Sequence, residues 1–401
     1  MTSTAEQMRA WTGPAILTYG FRPFFFGAAV WAALAMLLWI GMLTGFVELP
    51  TAFDPVSWHA HEFLFGYLGS VIAGFLLTAV PNWTGRLPIV GWRLGALAAL
   101  WLAGRVIVLI SAGLPSLLVA IVDLAFPVVL AAVIAREIVA GRNWHNLVML
   151  GILAAFAAAN ALFHVEAASG DYAARGYGLR LGLAAALMII AVIGGRIVPS
   201  FTRNWLVKRG AGHLPVSANQ KFDKLALLAL LVALSLWVVM PLDVTTGALL
   251  VGVGILHLMR LARWAGHRTL AEPLVAVLHV GYAFLPLGAL AVGREILMPS
   301  AVGTAGAQHL WMGGAVGMMT LAVMTRATLG HTGQALSAGV GTVAIYSTIL
   351  AAVLTRAVAN LWPTQTPFLL DLSGLAWIAA FGGFAAIYGR LLLRAAPAKR
   401  I

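Results

Sequence analysis

The sequence predicts an all-α, polytopic integral membrane protein of about 12 transmembrane helices. Hydrophobic residues make up 61% of the 401 residues and charged residues only 9%, whereas a typical soluble domain is about 25% charged. The mean hydropathy is +0.94, so the chain has too few polar side chains to cover a water-soluble surface. We therefore expect a single transmembrane domain, residues 1–401, embedded in the lipid bilayer.

Apolar runs occur along the whole chain, and a run of about 20 residues is long enough to cross a bilayer. Each run is predicted as a helix, because a helix satisfies its own backbone hydrogen bonds in lipid. Asp54 followed by Pro55, an N-cap residue and a proline at the first helical position, predicts the start of the second helix. The runs lie near residues 24–45, 59–80, 93–112, 115–139, 147–166, 177–199, 223–240, 243–259, 273–297, 306–328, 338–361 and 369–394.

The formal net charge is +12, and most of the Lys and Arg residues fall in alternate connections between the predicted helices. The positive-inside rule makes those connections cytoplasmic. This pattern predicts a multi-pass protein of the bacterial inner membrane with both termini in the cytoplasm. It also explains the basic charge without a nucleic-acid partner.

Two patterns suggest how the membrane domain is subdivided. A long polar connection, residues 203–224, could join two halves, 1–205 and 220–401. The second and sixth helices end in similar segments, 80–84 (VPNWT) and 198–202 (VPSFT), and the tenth ends more loosely in 330–333 (GHTG). Three units of four helices would make helices 2, 6 and 10 equivalent.

The chain contains no cysteine. This excludes thiolate zinc sites, iron–sulfur clusters and covalent attachment of c-type haem. Any metal ion or haem must therefore be bound by His, Met, Tyr or carboxylate side chains.

Histidines near the outer ends of three helices are the first candidate cofactor ligands. His59 and His61 lie on helix 2, His164 on helix 5 and His309 on helix 10, so four imidazoles are expected at similar depth. A b-type haem takes axial ligands from two helices, and the favoured pair is His59 or His61 with His309. His59 and His61 are about 200° apart around a helix and cannot both face one ligand. The alternatives are interfacial histidines bonded to water and ordinary small-residue packing stripes.

A second group of histidines is expected nearer the cytoplasm. His257 on helix 8 and His279 on helix 9 lie at matching depths, and His331 follows helix 10. Imidazole suits iron and copper, so a second haem or a copper site is one interpretation. The alternative is buried histidines bonded to neighbouring carbonyls. Three further histidines, His145, His213 and His267, are expected to be solvated.

Ionisable residues inside a bilayer are costly and usually face the interior of the helix bundle. Arg105 on helix 3 and Asp123 on helix 4 fall at matching depths and predict a buried ion pair. The alternative for Arg105 is a clamp for a haem propionate or a step in proton transfer. Glu62 and Glu166 are candidates for proton relay and Glu62 for a catalytic role, unless they simply face water. Aromatic belts at the membrane boundaries are expected to include Trp58, Trp83, Trp92 and Trp311.

Several longer segments resemble the NnrS family of bacterial membrane proteins. They are 19–25 (YGFRPFF), 58–66 (WHAHEFLFG), 73–85 (AGFLLTAVPNWTG), 195–204 (GRIVPSFTRN), His309 and 319–333 (MTLAVMTRATLGHTG). Together they cover most of the chain.

The resemblance implies a membrane protein that contains haem and copper and is associated with nitric oxide metabolism and tolerance of nitrosative stress in denitrifying bacteria. The motif histidines are His59, His61, His309 and His331. The helix layout is also distantly similar to the catalytic subunit of haem–copper oxidases and nitric oxide reductases. Helix 6 lacks their HxxxY motif and helix 7 their paired histidines, so their usual dinuclear site is not expected.

The working hypothesis is a protein with b-type haem, and with copper as a second cofactor, that binds or reduces nitric oxide. Quinol or another membrane electron donor would supply the electrons. Two other functions stay open: a secondary transporter of a small metabolite, and a non-catalytic carrier of haem or copper. Sequence alone does not decide between enzyme and carrier.

Overall fold

A computed structural model describes residues 11–218, 220–300 and 302–394 of the chain. These residues form helices and no strand. Eleven of the helices are long and apolar enough to cross a membrane, judged by length and composition. The prediction of an all-α, multi-pass membrane protein is confirmed.

The long helices follow the predicted runs closely and are numbered here in chain order. The predicted run at 306–328 lies in α10, a helix that is continuous over residues 303–331. This helix is not one of the eleven that qualify as membrane spans by length and composition. It carries His309, Arg326 and several glycines. The bounds are α1 Phe21–Leu43, α2 Pro55–Thr84, α3 Trp92–Leu109, α4 Ser116–Ala140, α5 Leu147–Ala168, α6 Tyr177–Lys208, α7 Lys221–Val239, α8 Val244–Ala262, α9 Pro273–Leu297, α10 303–331, α11 Val340–Val358 and α12 Thr366–Leu393.

Three of these helices contain a π-helical segment: Glu62–Leu68 in α2, Ile190–Gly194 in α6 and Leu310–Met318 in α10. In the part of the chain that the structure describes, no other helix has one. These are the three helices whose similar ends suggested equivalent positions. The repeat of three four-helix units stays a prediction, now with a second feature in its favour. Single π-helical turns are frequent at functional sites.

The chain divides into two compact units. The first unit consists of Met1–Gly182, Ala327–Ala335 and Phe381–Ile401, and the second of Leu183–Arg326 and Leu336–Ala380. Each has its own aromatic core: Phe24, Trp58 and Phe163 are completely buried in the first, and Trp264 and Trp311 in the second.

The start of α2 is set by a side-chain cap. The Asp54 carboxylate accepts hydrogen bonds from the backbone N–H groups of Val56 and Ser57, both at 3.0 Å, and Pro55 occupies the first turn. This confirms the predicted helix start. It also fixes the first two turns of α2, which carry His59 and His61.

The predicted aromatic belt is wrong for two of its four tryptophans. Trp58 and Trp311 are 0% exposed, and Trp311 Nε1 donates a hydrogen bond to the carbonyl oxygen of Leu285 at 2.9 Å. Trp92 is 72% exposed, as a belt residue should be. Position near a helix end does not reveal which face of the helix a side chain occupies, so belt and core tryptophans look alike in sequence.

Candidate metal site

Six polar residues from four helices of the first unit form one buried cluster, called here the polar cluster. None is more than 6% exposed. Its members are His61 and Glu62 on α2, Arg105 on α3, Asp123 on α4, and Asn160 and His164 on α5. The last two are four residues apart and therefore lie on the same face of α5.

Arg105 joins the two carboxylates of the cluster. Its Nη1 donates to Glu62 Oε1 at 2.6 Å, and its Nη2 donates to Asp123 Oδ1. The predicted ion pair of Arg105 with Asp123 is confirmed and extends to Glu62. The alternative for Glu62, a carboxylate that simply faces water, is wrong because Glu62 is 0% exposed.

Two glycines make room for these contacts. A Cβ atom at Gly104 would lie 2.7 Å from Asp123 Oδ1, and a Cβ at Gly66 would collide with Arg105 Nη1. Gly66 lies in the π-helical segment of α2, and its carbonyl oxygen accepts a hydrogen bond from Trp101 Nε1 at 2.9 Å. These two glycines therefore let α3 pack closely against α2 and α4, so that the guanidinium of Arg105 contacts a carboxylate on each of them.

His61 has hydrogen-bond acceptors at both ring nitrogens. Its Nδ1 lies 2.9 Å from Glu62 Oε1, and its Nε2 lies 3.0 Å from Asn160 Oδ1 and 3.2 Å from Asp123 Oδ2. Asn160 Nδ2 donates to Asp123 Oδ2 at 2.8 Å, which orients the amide with its oxygen towards His61. Since the partners are acceptors, each nitrogen of His61 carries a proton, and the ring is an imidazolium.

This protonation balances the charges of the cluster. Arg105 and the His61 imidazolium carry two positive charges, and Glu62 and Asp123 carry two negative ones. Buried charges are tolerated when they are paired and hydrogen-bonded. Loss of the proton on His61 would leave one negative charge uncompensated.

His61, Asp123 and His164 have the geometry of a metal-binding group. One ligand atom from each lies within 4.8 Å of the other two, and His164 Nε2 lies 3.0 Å from Asp123 Oδ2. Nitrogen and oxygen ligands bound to one ion at about 2.0–2.2 Å lie about 3–3.5 Å apart. The observed spacing therefore suits a single metal ion after small side-chain shifts.

Aromatic rings separate this group from water. The ring of Phe53 stacks on His61 at a centroid distance of 5.3 Å, and Phe163 and Phe65 contact the same imidazole at 5.4 Å. Low polarity around the charges strengthens their interactions and makes any imbalance costly.

The other outer histidines take different positions. His59 stacks on Trp39 with ring centroids 4.5 Å apart and contacts Phe63 at the same distance, so His59 and His61 point in different directions, as expected from their spacing. His309 belongs to the second unit, and its Nδ1 donates to the carbonyl oxygen of Ala305 at 2.7 Å. This bond leaves the Nε2 of His309 unprotonated, the state that a metal ligand needs.

Glu166, the second candidate for proton relay, acts as a helix cap. Its carboxylate accepts from the backbone N–H of Tyr177 at 2.5 Å and of Gly178 at 3.1 Å. It anchors the start of α6.

Of the inner histidines, His257 is fully engaged. Its Nε2 donates to the carbonyl oxygen of Ala226 at 3.0 Å, and its Nδ1 accepts from the hydroxyl of Tyr282 at 2.9 Å. No ring nitrogen of His257 is therefore directed at a ligand. His279 Nε2 donates to Thr202 Oγ1 at 2.7 Å, and its Nδ1 has no hydrogen-bond partner among the described residues.

The last inner candidate, His331, belongs to the first unit. It is exposed and contacts the ring of Phe21 at 5.4 Å. The three histidines predicted to be solvated, His145, His213 and His267, are exposed.

A second buried network, in the second unit, is not apparent from the sequence. Arg260 Nε donates to Asp223 Oδ1 at 2.8 Å, and Nη1 donates to the Tyr282 hydroxyl at 2.7 Å and to the carbonyl oxygen of Ala191 at 3.0 Å. Charge patterning groups Arg260 with the cytoplasmic basic residues, but it is only 2% exposed. One cation and one carboxylate balance here without a charged histidine.

Sequence reasoning selected His61, His164, Glu62 and Arg105 for the first site, but it assigned Asp123 only to an ion pair and overlooked Asn160. The available signal was the four-residue spacing of Asn160 and His164 on one predicted helix. That the Asn160 side chain faces Asp123 is visible only once the helices are packed, because the neighbouring helices decide in which direction a side chain points around its helix axis.

Replacing Arg105 by Met should destabilise the protein by about 3–5 kcal/mol, because two buried carboxylates lose their shared partner. Unfolding in detergent micelles measures this effect. Arg86→Met is the matched control, since Arg86 pairs with Glu137 but its side chain is 37% exposed, and we expect about 0–1 kcal/mol. Adding Glu62→Gln to Arg105→Met should restore part of the lost stability, because one of the two unpaired carboxylates is removed. An equal loss of stability in the single and double variants would contradict the conclusion that the charges of the cluster balance.

The comparison with protein-family models agrees with the family resemblance of the sequence segments. The family model described as NnrS protein matches residues 15–395. The search of curated proteins found no match. Because the family model covers almost the entire sequence, the chain belongs to the NnrS family.

Proposed function

We propose that this protein is a membrane-embedded metalloprotein of nitric oxide metabolism in which His61, Asp123 and His164 bind a redox-active metal ion. The observation that carries the proposal is the convergence of their three ligand atoms within 4.8 Å at a buried position. Membership in the NnrS family supports the connection to nitric oxide.

Copper is the ion that the family resemblance implies, and the donor set fits it. Two imidazoles and one carboxylate suit copper or iron, and the absence of cysteine leaves no thiolate to compete. A bound ion of this kind would supply one-electron chemistry towards nitric oxide. Nitric oxide is apolar and reaches a buried site through lipid.

An ion at this site would need both Nε2 atoms unprotonated. His61 would release its Nε2 proton while its Nδ1–H stays bonded to Glu62 Oε1. The Nε2 proton of His164, which is directed at Asp123, would move to Nδ1 of the same ring, so that one proton in all would be released. A carboxylate behind a metal-bound histidine fixes its tautomer and orientation. Glu62 therefore positions His61. Its second oxygen, Oε2, has no hydrogen-bond partner among the described residues.

Haem b is the second cofactor of the proposal, and it does not fit the polar cluster. The ring centroids of His61 and His164 are 5.1 Å apart, and the two rings are steeply inclined to each other. The Nε2 atom of each ring faces the Asp123 carboxylate. A flat macrocycle has no place between them. The unprotonated Nε2 of His309 supports this residue as an axial ligand. Of the two predicted partners for His309, His61 does not suit, because both of its ring nitrogens are engaged within the polar cluster. The pairing with His59 stays a prediction, as does quinol as the electron donor.

The purified protein should contain about one copper ion at this site, and His61→Ala, His164→Ala and Asp123→Asn should each lose it. Metal analysis per polypeptide measures the content. His59→Ala is the matched control, because it removes an imidazole two residues away that lies against Trp39. Affinity should rise about tenfold per pH unit if one proton is released. Full copper content in His61→Ala would contradict the site.

Anaerobic nitric oxide consumption with a quinol donor separates enzyme from carrier. We expect consumption by the copper-loaded protein and none above buffer for His61→Ala. Binding without consumption would favour the non-catalytic carrier.

The haem proposal predicts a Soret band in the purified protein that is lost or shifted in His309→Ala. Haem content per polypeptide is the measurement, and His267→Ala is the control because His267 is exposed. An unchanged spectrum and full haem content in His309→Ala would exclude this ligand. A colourless preparation without metal would instead favour a transporter.

We further propose that the protein lies in the bacterial inner membrane with the connection between α6 and α7 in the cytoplasm. The segment 203–224, which spans this connection and the helix ends beside it, carries five basic residues: Arg203, Lys208, Arg209, Lys221 and Lys224. The termini themselves lie outside the described residues. As the chain has no cysteine, Ser217→Cys and Asp171→Cys can be labelled one at a time in intact cells. An impermeant thiol reagent should label Asp171→Cys alone, and the reverse pattern would invert the orientation.

A further inference from the structure

A small cavity lies beside the polar cluster in the first unit. Its volume is about 10 Å³, which is close to the smallest space that holds a water molecule. Arg105, Asp123 and Asn160 form its polar end, and the rest of the wall is apolar and includes Phe126 and Phe156. The space therefore admits one water molecule and nothing larger.

Each of the three polar residues at this end has one hydrogen-bonding position that no other described residue uses. Arg105 donates through both Nη atoms, but its buried Nε has no partner. Asn160 uses one of its two amide hydrogens, towards Asp123 Oδ2. Asp123 Oδ1 accepts from Arg105 Nη2 alone, which leaves this oxygen a free lone pair.

These three positions match the hydrogen bonds of a single water molecule. A buried water typically makes about three hydrogen bonds. At this place it would accept from Arg105 Nε and from Asn160 Nδ2, and it would donate to Asp123 Oδ1. An empty cavity would leave the Nε–H group of a buried guanidinium without an acceptor, which is unfavourable.

The charge balance of the polar cluster disfavours an ion in the same space. The two positive charges on Arg105 and His61 already cancel the two negative charges on Glu62 and Asp123, so a further cation or anion would be uncompensated. The occupant must be a neutral molecule that both donates and accepts hydrogen bonds. Water meets both conditions.

Asp123 faces the cavity and the proposed metal ion with different oxygens. Its Oδ2 lies 3.2 Å from His61 Nε2 and 3.0 Å from His164 Nε2, whereas Oδ1 is the oxygen bonded to Arg105. Hydrogen bonds to a ligating carboxylate orient it, and loss of such outer partners typically lowers metal affinity about 10–100-fold.

We propose that this cavity holds one ordered water molecule, which bonds to Arg105, Asn160 and Asp123 and so positions the Asp123 carboxylate. The water site itself does not require a metal ion. Its effect on metal affinity rests on the function proposed above.

One substitution can fill this cavity without strain. Gly69 lines the cavity, and a Cβ atom there would lie 3.8 Å from Phe156 Cε1 and 4.0 Å from Phe126 Cε1, which is ordinary van der Waals contact. Gly151, on α5, does not line the cavity, and a Cβ atom there would have no neighbouring atom within 4 Å. Both glycines are helical, so Gly69→Ala and Gly151→Ala change helix propensity in the same direction.

A structure of the metal-free full chain, at a resolution that shows ordered water, tests the site. We expect a water molecule in the cavity of the wild type and of Gly151→Ala, and its loss in Gly69→Ala. A wild-type cavity without density would overturn the proposal. Water retained at the same place in Gly69→Ala would overturn it as well.

Copper affinity, measured at fixed pH by competition with a chelator, tests the positioning role. We expect Gly69→Ala to bind copper about tenfold more weakly than the wild type, and Gly151→Ala to match the wild type. Unchanged affinity in Gly69→Ala would contradict positioning of Asp123 by the water. Ordered water in a protein that binds no copper would support the water site and contradict the proposed metal site instead.

Discussion

The polar cluster depends on one constraint, that charges removed from water must balance within a few ångströms. Arg105 meets it by donating to Glu62 and Asp123 at once. Since a guanidinium and two carboxylates still leave one negative charge, a proton on His61 completes the balance. The small residues Gly66 and Gly104 follow from the same constraint, because a side chain at either position would push these groups apart.

Comparison of the two buried networks shows why only one is a candidate metal site. In the second unit, Arg260 and Asp223 neutralise each other, and His257 is held neutral by Tyr282 and a backbone carbonyl. Such a network can stabilise helix packing without gaining or losing a proton. The polar cluster instead relies on a positive charge at His61, and a monovalent metal ion such as Cu⁺ would replace that proton without a change in net charge.

Fold class, helix positions and the start of α2 were predictable because hydrophobicity, helix length and capping are local properties of the chain. The ion pair of Arg105 with Asp123 was also predictable, since adjacent antiparallel helices align residues at equal depth. The candidate site was predicted only in part. Equal depth placed His61 and His164 together, but it also placed His59 beside them, and His59 lies against Trp39 instead.

The sequence by itself determined that the chain is helical, crosses the membrane many times and must bind any metal through imidazole, carboxylate or other non-thiol groups. Tertiary structure alone decided which polar residues meet. Rotation of each helix about its axis, set by packing of neighbouring side chains, turns Asp123 and Asn160 towards His61 and turns Trp58 into the core. The local sequence determines how deep in the membrane a residue lies along its helix. The direction in which its side chain points around the helix axis depends on all the helices that pack against it.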